Sequence, residues 1–99
     1  MSARSIAGSA LFLVATLPSV LGQQSADPVA GERLAAANCT KCHGAHGAAP
    51  AFAKIAAMPS TTQTSLGVFL QTSHASMPNL ILSAADRNNL IAYILSLRP

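Results

Sequence analysis

The 99-residue chain has no tryptophan, one tyrosine, three phenylalanines, two cysteines and three acidic residues. Each shortage excludes something. With so few large rings, core volume must come from leucine, isoleucine, valine and alanine. That is thin filling for a small domain, which often needs a metal, a disulfide or a cofactor to complete it. Two cysteines permit at most one disulfide, so a multiply cross-linked scaffold is excluded. Basic residues never form a run, and Arg33, Lys41, Lys54, Arg87 and Arg98 are scattered against Asp27, Glu32 and Asp86. A nucleic-acid-binding surface is therefore not indicated. The apolar stretch Ala10-Leu11-Phe12-Leu13-Val14-Ala15 is soon broken by Pro18, short of the roughly 20 residues of a membrane helix, so no stable membrane insertion is expected.

What is present begins with that stretch. One basic residue (Arg4), a short apolar run and the small-residue exit Val20-Leu21-Gly22 have the form of a secretory signal peptide. Residues 1–22 are expected to be cleaved, which leaves residues 23–99 as one small domain in the periplasm.

The residues that carry chemistry are Cys39-Thr40-Lys41-Cys42-His43. Two thiols three positions apart, followed at once by histidine, have the spacing for c-type haem attachment: each sulfur meets one vinyl group and the imidazole lies under the iron. Cys-x-x-Cys also occurs as a disulfide, as half a zinc site and as a thioredoxin-like pair. Zinc would need two further ligands, which only some pair among His43, His46, His74 and the carboxylates could supply, at no familiar spacing. A thioredoxin-like site expects strands, and none is evident. Export places the thiols in the compartment where bacteria attach haem.

Around the motif the sequence reads as helices. Asp27-Pro28 is an N-cap followed by proline at the first helical position, predicting a helix over 28–37. Gly31 within it suggests a close crossing with the last helix. Gly44, Gly47 and Pro50 break the chain into a loop over 44–51. A carbonyl in this loop, near Pro50, is the natural acceptor for the second N–H of His43. Phe52, Ile55 and Met58 are spaced for a short helical turn laid on the haem, stopped by Pro59. Ser60, Thr61 and Thr62 offer N-caps for a helix ending between Thr72 and His74. Ser83-Ala84-Ala85-Asp86 has the pattern of a capping box, opening a final helix to Leu97 with Leu90, Ile91, Ile94 and Leu97 on one face. Arg98 suits the negative end of that helix.

An iron held by His43 has one position left, and Met77, Met58 and His74 are the candidates. Both methionines precede proline. Met77 is favoured, because its loop is anchored by a helix at each end and lies far enough from His43 to reach the opposite haem face. Thioether sulfur favours ferrous iron, so a His/Met pair raises the reduction potential relative to two imidazoles.

Cys39 to Gly44, Pro50, Ser76-Met77-Pro78 and the final helix through Tyr93 together resemble the small bacterial class I c-type cytochromes, over Asp27 to Leu97. The resemblance implies an all-α, cytochrome c-like fold: three to five short helices around one haem, the first and last packed crosswise with Gly31 against Tyr93. It implies Cys39 and Cys42 as thioether links, His43 and Met77 as axial ligands, and the Pro50 carbonyl as acceptor for His43. The segment between His43 and Met77 is short for the family. Propionate partners are consequently not given by the resemblance, and Lys54 is offered only as a candidate. The function implied is electron transfer without substrate chemistry, with redox proteins as partners. The alternatives are a haem subunit of a dehydrogenase complex and a sensor or peroxidase with an open iron position.

Overall fold

The computed structural model describes residues 2, 3, 5, 7–16, 25–72 and 75–99. The expected cleavage point after Gly22 and the candidate ligand His74 lie outside the described residues. Five helices follow one another: α1 (Pro28–Asn38), α2 (Thr40–His43), α3 (Phe52–Ala57), α4 (Gln63–Phe69) and α5 (Ala84–Ser96). No strand occurs among the described residues, and the fold is the all-α one expected.

Capping explains where the helices start. The Asp27 carboxylate accepts from the Val29 N–H at 2.9 Å, with Pro28 in the first turn of α1. At α4, Thr62 and Ser65 cap each other reciprocally: the Ser65 N–H donates to Thr62 Oγ1 at 3.0 Å and the Thr62 N–H to Ser65 Oγ at 2.8 Å. Ser83 accepts from the Asp86 N–H at 3.1 Å at the head of α5. The return bond expected from the Asp86 carboxylate is absent among the described residues, because aspartate is one methylene shorter than the glutamate that usually makes it. Helix α4 stops at Phe69, earlier than its sequence suggests, and Leu70 closes it with N–H contacts to the Leu66 and Val68 carbonyls.

The core is one stripe. Leu90, Ile91 and Ile94 of α5 are buried against Ala35 and Cys39 of the α1 side, Phe52 and Ala56 of α3, and Leu66 of α4. Each large aliphatic so buried contributes about 1.5–3 kcal/mol, so α5 holds the other helices together. Its most extensive contact is with α1. At their crossing Gly31 lies against α5 so closely that an added Cβ would fall 2.0 Å from the Asn89 carbonyl oxygen and 2.9 Å from Tyr93 Cβ. Only glycine admits that approach. The Asp27 N–H donates to Asn89 Oδ1 at 2.8 Å beside it.

Two expectations are corrected at the α3–α4 connection. Met58 does not continue the buried face of Phe52: it stands past the helix end with extended backbone (φ −70, ψ 134) and is 46% exposed, because the following proline disfavours a helical conformation there. Arg98, expected at the end of its own helix, instead reaches across the fold. Its Nε donates to the Ala56 carbonyl at 3.3 Å and its Nη2 donates to the Thr61 carbonyl. Thr61 itself is buried and donates its hydroxyl to the Ile55 carbonyl at 2.6 Å. Arg98 thus satisfies one carbonyl in the last turn of α3 and one in the segment between α3 and α4.

Candidate haem site

Cys39 is the joint between α1 and α2. Its N–H still bonds the Ala35 carbonyl at 2.8 Å, while its own carbonyl accepts from Cys42 at 3.2 Å and His43 at 2.9 Å. One tight turn therefore carries both thiols and the imidazole. Neither cysteine is in a disulfide; Cys39 is buried and Cys42 exposed. Burial pushes the Cys39 thiol up, the opposite of the depressed value that a thiolate nucleophile in a redox-active pair requires. Among the described residues no three His, Cys, Asp or Glu side chains gather as a metal-binding group.

The loop after α2 folds back on the motif. Ala49 N–H donates to the Cys42 carbonyl at 3.0 Å, and an added Cβ on Gly47 would lie 2.0 Å from that same oxygen. The loop could not close over a larger residue there. Its closure brings the Pro50 carbonyl to 2.7 Å from His43 Nδ1. A carbonyl can only accept, so Nδ1 carries the proton and Nε2 keeps its lone pair for a metal. The face of the half-buried imidazole stacks on Phe52, ring centroids 4.8 Å apart and planes within 14°. Phe52 in turn meets Tyr93 edge to face, at 6.4 Å and 87°. The spacing of Phe52 places it on a turn expected to lie on the haem; the ring stack has no signature in the sequence. His46 in the same loop is exposed.

The methionine candidates occupy different surroundings. Met77, half-buried, lines a cavity of about 500 Å³ with Phe69, Leu70, Leu80, Leu82 and Arg87, a volume within the usual range of small-molecule sites. Met58 lines a smaller recess of about 250 Å³ with Ala56, Pro59 and Arg98. His43 lines neither. Lys54 is exposed on α3, whereas Arg87, which the sequence did not single out, is half-buried on the wall of the Met77 cavity.

Free thiols at this spacing and an imidazole with Nε2 available make a donor set that fits haem c. The comparisons agree. Residues 26–94 match the family described as cytochrome c oxidase, cbb3-type, subunit III. The chain is 35% identical over 95 residues to cytochrome c-552 of Bradyrhizobium diazoefficiens, an overlap that takes in 89% of this chain and 91% of that protein. No solved structure matches it. A Cys-x-x-Cys-His turn in an all-α fold, a family match over most of the chain and a relative matched over most of its length lead to one conclusion: the chain belongs to the c-type cytochromes, as a small class I member with covalently bound haem.

Proposed function

We propose that this cytochrome works in the periplasm after removal of residues 1–22, with haem linked through Cys39 and Cys42 and its iron held by His43 and Met77. The protein is an electron carrier rather than an enzyme. When bound, the haem supplies a one-electron ferric/ferrous couple. The rest is the work of the chain. The bond from His43 Nδ1 to the Pro50 carbonyl fixes the tautomer and makes the imidazole a stronger donor. Met77 sulfur, a softer donor, favours the reduced state and so sets a higher potential. With both axial positions taken by side chains, small molecules are excluded.

Support for export comes from the leader. Leu11, Phe12, Leu13 and Val14 are all more than four-fifths exposed and belong to no helix, so the fold makes no use of its most apolar segment. No helix among the described residues is long and apolar enough to cross a membrane. Protein redox partners would approach at the exposed edge around Cys42, with Lys41 beside it. Contacts of this kind are small and short-lived.

The observation that carries the reading is the 2.7 Å contact that the Pro50 carbonyl of the following loop makes with Nδ1 of His43, a residue sharing one tight turn with both thiols. The test is to export the chain from a host that matures c-type haem and record its spectrum. A red protein that keeps its haem under denaturing electrophoresis and, once reduced, refuses carbon monoxide at neutral pH is expected. Colourless protein would overturn covalent attachment, and ready carbon monoxide binding would overturn the second axial ligand.

A further inference from the structure

The imidazole of His43 is restrained from three directions. Its backbone is fixed in α2 next to Cys42, its Nδ1 is tied to the Pro50 carbonyl at 2.7 Å, and one ring face lies on Phe52. The first two restraints limit the turn of the ring without locking it. Nδ1 lies off the Cβ–Cγ axis, so its hydrogen bond holds the ring to the range of angles over which the contact with the Pro50 carbonyl survives. Contact with a second flat ring opposes that rotation, because a tilt away from the observed 14° either drives an imidazole edge into the phenyl face or opens a gap between them.

Phe52 is poorly placed to follow such a turn. It is 9% exposed, begins α3, and presents its ring to Tyr93 at 87°. Tyr93 is anchored where α1 crosses α5, its Cβ lying under Gly31. A chain of contacts therefore runs from the helix crossing to the imidazole plane.

We infer that Phe52 is a positioning residue that sets the rotational orientation of the His43 imidazole plane, an inference that rests on reading His43 as the axial ligand. The orientation has an electronic consequence. The π orbital of an imidazole stands perpendicular to its ring, so the angle of the plane selects which of two nearly equivalent iron d orbitals it mixes with. In the ferric protein this directs unpaired spin toward one pair of porphyrin edges. Packing volume alone has no such effect.

Proton NMR of the ferric holoprotein tests this, since the order and spread of the haem methyl resonances follow the axial ligand planes. Phe52→Leu keeps apolar bulk without a flat face and is expected to change the methyl pattern, whereas Phe52→Tyr keeps the face and should preserve it. An unchanged pattern in Phe52→Leu, or an equal shift in both variants, overturns the inference. A second measurement needs no variant: in the reduced, diamagnetic wild-type holoprotein, Overhauser contacts between the rings of Phe52 and His43 are expected, and their absence also overturns it. If His43 ring protons show no hyperfine shift in the ferric wild type, the axial assignment itself fails. That outcome is distinct from the inference failing alone, where His43 is hyperfine-shifted and Phe52→Leu changes nothing.

Discussion

At the scale of single residues, the two methionines offer the sharpest contrast. Met77 shares its cavity with Leu70, Leu80 and Leu82, while Met58 is 46% exposed beyond the end of α3. Met77→Ala is therefore expected to lower the reduction potential and admit external ligands such as cyanide or carbon monoxide, read by redox titration and ligand-induced spectral change. Met58→Ala should leave both unchanged and cost no more than about 1 kcal/mol of stability, because its side chain is half in water. The reverse pattern would move the axial ligand to Met58. The cysteines differ as well. Before haem attachment, Cys39 is buried with its thiol pushed up, and Cys42 is exposed. Iodoacetamide at neutral pH should modify Cys42 first. Trypsin cuts at Lys41 between them, so mass spectrometry reads the order directly. The sign of the pH effect follows: burial disfavours the Cys39 thiolate, so this group supports the fold below the ordinary thiol range and ceases to do so as pH rises through its higher folded value.

At the scale of elements, the α1–α5 crossing and the head of α4 make separate demands. Gly31→Ala places a methyl group 2.0 Å from a backbone oxygen, where no flexible side chain can yield. The helices must separate, and a loss of about 1–3 kcal/mol or more is expected in chemical denaturation. Gly67→Ala is the control, since nothing lies within 4 Å of the position its Cβ would take. In α4 that substitution should be neutral or stabilising by up to about 1 kcal/mol. Thr62→Ala removes one half of a reciprocal cap and should cost about 1 kcal/mol. These elements were legible to different degrees. Asp27-Pro28 and Ser83 announce their helices by local chemistry. The Thr62–Ser65 pair stood among several possible caps, and the choice was made by Ser65 Oγ, which also donates to the Ser60 carbonyl at 3.0 Å.

At the scale of the whole molecule, the buried hydrophobic set among the described residues is Ala35, Cys39, Phe52, Ala56, Leu66, Leu90, Ile91 and Ile94, two of them alanines, while Ile81 is fully exposed. So small a core sits near the limit of independent stability. The Cys39→Ala/Cys42→Ala chain, unable to attach haem, is expected to lose cooperative thermal unfolding and much of its helical circular dichroism. A sharp transition in that variant would show that the protein core suffices alone. Electron transfer needs a site that keeps its geometry on reduction. Here Arg98 ties the residues after α5 to the Ala56 and Thr61 carbonyls, and α5 packs across α1, so the helices are held to one another at both ends of α5.

The sequence by itself determined the Cys-x-x-Cys-His turn, the caps, the breaks at Pro50, Pro59 and Pro78, and through them the all-α fold and the family. Those depend on residues within four positions of one another, where spacing and covalent geometry already fix what can meet. Tertiary structure alone decided that Phe52 stacks on His43 and that Arg98 reaches the Thr61 carbonyl. It also decided that Arg87 shares a cavity with Met77 while Lys54 faces water. Such contacts join segments separated by loops, and which side chains meet is settled only when α1 and α5 have packed through Gly31 and brought the intervening loops to their ends.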